Sequence, residues 1–133
     1  MRYIIIVRAT PDTEAGSSPG SDETLRPALA AYHEQLGQAG VLLDAAGLKP
    51  SRDGWRIRYG SGSKQVANGP FAETNELIAG YTLIQVRDRE EAMEWARRFP
   101  APMGEGMPAE IEVRELYDTD DRRADVSGLG PAR

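Results

Sequence analysis

The 133-residue chain contains no cysteine, which excludes disulfides, thiol nucleophiles, zinc–cysteine centres and iron–sulfur clusters. It has a single histidine, so a histidine-rich metal site is excluded and any metal would depend mainly on carboxylates. Neither a metal nor a cofactor is expected. Positive charge is also short: 16 basic residues stand against 21 acidic ones, a formal charge of −5. Without a long basic cluster there is no electrostatic footprint for nucleic acid, and direct DNA contact is not expected. The opening apolar run, Tyr3 to Val7, is far too short to span a membrane and carries no small-residue cleavage pattern. The expectation is a cytoplasmic protein without membrane contact.

What is present suits one folded domain. Hydrophobic residues make up 40% of the chain and charged residues 28%, an ordinary globular balance. Tyr3 to Val7 is apolar on both parities, as in a strand covered on both faces. Ala9 to Ser21, with Pro11, Gly16, Ser17, Ser18, Pro19 and Gly20, reads as a surface loop serving as lid or connector. From Asp22, Leu25, Leu29, Tyr32, Leu36 and Ala39 recur at steps of four and three and form one stripe of a first helix. Pro27 fits its first turn and Gly40 stops it.

Val41 to Leu43 then makes a short strand. Trp55, Ile57 and Tyr59 alternate with Arg56 and Arg58, predicting a strand with a packed apolar face and a solvated basic one. Gly60 to Ser63 is a hairpin loop, and Lys64 to Ala67 returns. Ile78 to Val86 is the longest strand candidate. Asp88 caps a second helix, with Glu91 three residues on, and Ala92, Trp95, Ala96 and Phe99 form its apolar face. That helix ends at Pro100, and Ala109 to Leu116 forms the last strand, with Ile111 and Val113 inward. Residues 1–117 form the domain and 118–133 a flexible tail.

This order gives an α+β fold of ferredoxin-like split βαβ type, with two helices on one face of an antiparallel sheet. The apolar second face of that sheet predicts a homodimer with sheets face to face.

The most distinctive local sequence is Asn68-Gly69-Pro70-Phe71-Ala72-Glu73-Thr74. Asn-Gly tolerates a tight turn, Pro70 restricts Gly69, and Phe71 can anchor the turn in the core. With Arg2-Tyr3, Tyr32 to Leu36, Gly40 to Leu43, Gly47 to Pro50, Gly80-Tyr81, Glu91 to Ala96 and Ile111 to Arg114, this turn resembles the YCII-related superfamily, in its branch named for a D-G-P-F motif. Asn68 stands at the motif's Asp. The resemblance implies a dimeric α+β barrel. It also implies small-molecule chemistry: relatives carry a proposed His–Asp site, and one relative removes chloride from a chlorinated aromatic.

The family histidine belongs to an R-P-x-H helix start, where this chain has Arg26-Pro27-Ala28-Leu29. His33, four residues later, is the available replacement and a potential acid–base group at neutral pH. As catalytic candidates we therefore take His33 with Asp44 or Glu73 as its orienting carboxylate. Asn68, Phe71 and Tyr81 are the ligand-binding candidates. The expected site is a cleft between the first helix, the sheet and the Asn68 to Phe71 turn, with lyase, hydrolase or isomerase chemistry as the candidate activity. The alternative is a non-catalytic regulatory protein with a protein partner, because the D-G-P-F branch is associated with sigma factors and transcription initiation.

Overall fold

A computed structural model of the protein describes residues 1–16, 25–60 and 62–118. The later part of the expected first loop, the helix start at Asp22 and the tail beyond 118 lie outside them. Strand β1 (Arg2–Arg8) is followed by a one-turn helix α1 (Pro11–Glu14), helix α2 (Arg26–Gln38), strands β2 (Leu42–Gly47), β3 (Trp55–Arg58), β4 (Gln65–Asn68) and β5 (Ile78–Gln85), helix α3 (Arg89–Arg97) and strand β6 (Ile111–Glu115). Strands β2, β5, β1 and β6 form a sheet in that order, and every neighbouring pair is antiparallel. This is the expected α+β, ferredoxin-like layout. Strands β3 and β4 pair only with each other, as a separate two-stranded hairpin.

Pleating explains the layers. Tyr3, Ile5 and Val7 of β1 are buried, while Ile4 and Ile6 between them are half-buried. Ile5 lies opposite Thr82 and Tyr3 opposite Ile84 on β5, and this face packs with Tyr32 and Leu36 of α2 and Ala92 of α3 into the main core. Ile5, Leu36 and Ile84 are completely buried, each contributing roughly 2 kcal/mol of apolar burial. The opposite face pairs Ile4 with Leu83 and Ile6 with Tyr81, and neither long helix covers it.

The helices begin and end where their residues dictate. Pro27 sits in the first turn of α2, and Gly40, just past its end, has φ +74°, a left-handed conformation that costs glycine little. Asp88 Oδ1 accepts the Glu91 N–H at 2.9 Å, capping α3. Glu91 reaches back to the Arg87 N–H at 2.8 Å, which holds its carboxyl below the usual carboxylate range. Tyr32 joins the two long helices: its hydroxyl donates to the Trp95 carbonyl at 2.7 Å and its ring meets Phe99 edge-on, 5.1 Å between centroids. Burial pushes the Tyr32 phenol up to about 12.

Three expectations need correction. The stretch read as loop contains α1, where Thr10 accepts the Thr13 N–H at 3.3 Å and Thr13 Oγ1 accepts the Thr10 N–H at 2.8 Å. This reciprocal cap with Pro11 at the first position outweighs the loop-forming composition. Strand β2 runs on to Gly47, because pairing with β5 recruits Asp44, Ala45 and Ala46 despite their low strand propensity. The apolar side of β3, continued by Tyr59 just beyond it, is not packed against the described residues: Trp55 is 64% exposed and Tyr59 72%. It is Arg56, on the other face, that is half-buried, with its guanidinium 3.8 Å from the Phe71 ring centroid.

Candidate functional site

A partly open pocket of about 250 Å³ lies between α2, the β2–β5 side of the sheet and the end of α3. Leu29 and His33 of α2, Val7 of β1, and Phe99 provide side chains around it. The space exists because the facing strand positions are small: Ala45, Ala46 and Gly47 on β2, and Gly80 on β5. Gly80 is fixed by a close approach, since a Cβ there would lie 3.0 Å from the Ala46 carbonyl oxygen. Leu29 and His33 project together because four residues separate them on one helix.

Beside Thr82, His33 brings a polar side chain to this largely apolar setting. Its Nε2 lies 2.9 Å from Thr82 Oγ1, and Thr82 is only 2% exposed. Thr82 occupies the core-facing parity of β5 between Gly80 and Ile84, so the imidazole gives its buried hydroxyl a partner. Burial lowers the His33 pKa from its ordinary value, favouring the neutral ring at neutral pH. The ring also lies 5.8 Å from that of Tyr32.

The expected carboxylates do not join it. Asp44 is exposed and accepts the Tyr81 hydroxyl at 2.9 Å, while its other oxygen takes the Ala45 N–H at 2.8 Å. Tyr81 lies opposite Ile6 and Thr82 opposite Ile5, so pleating directs the Tyr81 ring to the face away from the helices and Thr82 to the helices. Residue 81 borders the pocket, but its phenol points away from His33 and is made harder to ionise by the bond to Asp44. Glu73 is exposed at the start of a 3₁₀ turn over Thr74–Glu76. The structure thus brings His33 to Thr82 and Asp44 to Tyr81, on opposite faces, and brings Glu73 to neither.

The Asn68 to Phe71 turn does not line the pocket. Asn68 is exposed opposite Trp55 at the end of β4, and Phe71 stacks under Arg56. The turn is held from behind: the Phe71 N–H donates to Ser51 Oγ at 3.0 Å, and Ser51 donates both its N–H, at 2.8 Å, and its hydroxyl to the Glu14 carboxylate. Gly69 passes so close to Ser51 that a Cβ would lie 1.8 Å from its carbonyl oxygen. Glycine is required here by this contact, since every other residue carries a Cβ.

Thr82 was absent from the expected site, although a lone hydroxyl at the inward parity of an apolar strand is a readable signal. The pocket's alanine and glycine floor carries no such signal, because small residues reveal space only when their neighbours are known. Among the described residues, no group of three or more His, Cys, Asp or Glu side chains could hold a metal, and no helix is long and apolar enough to cross a membrane.

Comparison with known proteins adds the family context. An uncharacterised protein of Rhizobium meliloti (strain 1021) is 31% identical over 97 residues, which cover 73% of this chain and 78% of that protein. The model of the YCII-related domain matches residues 1–117, every described strand and helix included, and the chain therefore belongs to the YCII-related family.

Proposed function

We propose that this protein binds a small molecule in the pocket between α2, the sheet and Phe99, with His33 as its polar anchor, and that it belongs to the D-G-P-F branch with Asn68 at the motif Asp. The observation that carries the reading is the placement of the chain's single histidine at a 250 Å³ pocket, bonded to a buried threonine. Any acid–base step of lyase, hydrolase or isomerase type falls to His33. With Thr82 as its partner instead of Asp44 or Glu73, the ring lacks the carboxylate that would stabilise an imidazolium. Binding is therefore the primary reading and catalysis the narrower one.

A thermal-shift screen of small acids, alcohols and aromatics tests it, because a ligand of the native state raises the midpoint. The expected result is one or more hits that disappear in Leu29→Trp, which fills the pocket. Hits that persist in that variant would place binding elsewhere.

The exposed hairpin face supports a second reading, a protein partner such as the transcription machinery associated with the branch. Trp55, Ile57, Tyr59 and Val66 are 64%, 43%, 72% and 65% exposed, and Ile57 pairs directly with Val66. Such a patch is a recognised mark of association. Under this reading, Trp55→Ser with Tyr59→Ser abolishes co-purification with a sigma factor and leaves ligand-induced shifts unchanged; unchanged co-purification removes the reading.

A further inference from the structure

The pocket's walls narrow what it can hold. Of the described residues that line it, His33 alone is ionisable in the physiological range; the others are Val7, Leu29, Ala45, Ala46, Gly47, Gly80, Tyr81, Thr82 and Phe99. Among these described residues no arginine or lysine meets a carboxylate or phosphate, and no aspartate or glutamate meets an amine. Removing a charge from water without a partner is strongly unfavourable. The volume sets the size: a cavity of about 150 Å³ holds benzene, so about 250 Å³ holds one ring with a short substituent.

His33 specifies the remaining group. One ring nitrogen is occupied by Thr82, and the other has no hydrogen-bond partner among the described residues. If Nε2 accepts from Thr82, Nδ1 bears the proton and donates; if Nε2 donates, Nδ1 accepts. A hydroxyl satisfies either tautomer, whereas a carbonyl satisfies only the first.

We infer that the pocket is selective for an uncharged, single-ring-sized molecule bearing a hydroxyl that hydrogen-bonds to the His33 ring nitrogen that Thr82 does not occupy. This inference rests on the pocket being the binding site, and its test separates the two. Because His33 is the only histidine, its imidazole NMR signals are assigned without ambiguity. They can be followed while benzyl alcohol, toluene, benzoate and benzylamine are titrated to millimolar concentration.

The expected result is that benzyl alcohol moves the His33 signals and binds about tenfold more tightly than toluene, benzoate or benzylamine, a ratio that corresponds to about 1.4 kcal/mol. The preference over toluene disappears in His33→Leu, and Ala45→Phe, which fills the floor, abolishes binding of all four. Should Ala45→Phe fail to fold, Leu29→Phe serves the same purpose. Tighter binding of benzoate or benzylamine, lost on filling, overturns the selectivity and leaves the pocket as the site. Binding that survives filling, or unmoved His33 signals with all four probes, overturns the selectivity and the pocket reading together.

Discussion

Single residues decide the local geometry at two places. Gly69→Ala would set a methyl group 1.8 Å from the Ser51 carbonyl oxygen and 2.6 Å from its carbonyl carbon, so backbone must move. We expect a loss of about 3 kcal/mol, the upper end of overpacking costs, in urea unfolding. The other place is His33. Its folded-state pKa lies below the ordinary 6.5 because burial disfavours the imidazolium, so on acidification the unfolded chain takes up a proton that the folded chain refuses. Stability is therefore complete above 6.5, declines as pH falls from there to the folded value, and levels off below it. Unfolding free energies measured across this window should flatten in His33→Gln relative to the wild type; an unchanged slope would show that another group supplies it. The histidine's solitude made it legible in the sequence, whereas the carbonyl that compels glycine at position 69 comes from Ser51, 18 positions away, and nothing at position 69 announces it.

Elements were legible wherever their own residues carry the reason for forming. The stripe of Leu29, Tyr32 and Leu36 and the Asp88 cap define α2 and α3, and β1 and β5 follow from their apolar content. Removing the cap tests that local logic: Asp88→Ala should cost about 1 kcal/mol, read as a lowered urea midpoint with unchanged slope. What was not legible depends on partners distant in sequence. Strand β2 is extended by pairing with β5, and α1 is held down by Glu14 through Ser51, 37 residues apart. For the same reason the candidate site was half read. His33 and its helix follow from the local pattern, but the convergence expected of Asp44 from the strand end and Glu73 from the motif loop depends on parity and loop path. Strand parity puts Asp44 with Tyr81 on the far side of the sheet, leaving Thr82 as the imidazole's partner. The apolar stripe of β3 was recognised as a stripe, yet alternation alone cannot say which molecule covers it.

At the scale of the whole molecule, the sheet face turned away from the two long helices has a chemistry that argues for a second copy of the chain. On this face the half-buried Ile4, Ile6, Tyr81 and Leu83 form an apolar centre across β1 and β5. On the β6 side, Glu112 is paired with both Arg8 and Arg114, and bonds from these arginines hold its carboxyl below the usual range. On the β2 side lies the Asp44–Tyr81 pair. An apolar centre with satisfied polar groups at its margin is the anatomy of an interface, and two such sheets stacked face to face make the dimeric barrel that we propose for this protein. A stable association of this kind covers about 800 Å² on each partner. Ile6→Arg places a cation at the centre of the face while Tyr3 and Ile5, which pack with the helices, are untouched. Mass measurement at micromolar concentration should therefore give a dimer for the wild type and a 14.5 kDa monomer for the variant, with equal helical content by circular dichroism. Leu83→Arg should behave in the same way from the neighbouring strand. A wild-type monomer at that concentration would leave the face without its second copy, and a dimer that survives both substitutions would move the interface elsewhere, with the exposed hairpin of Trp55 and Val66 as the next surface to change.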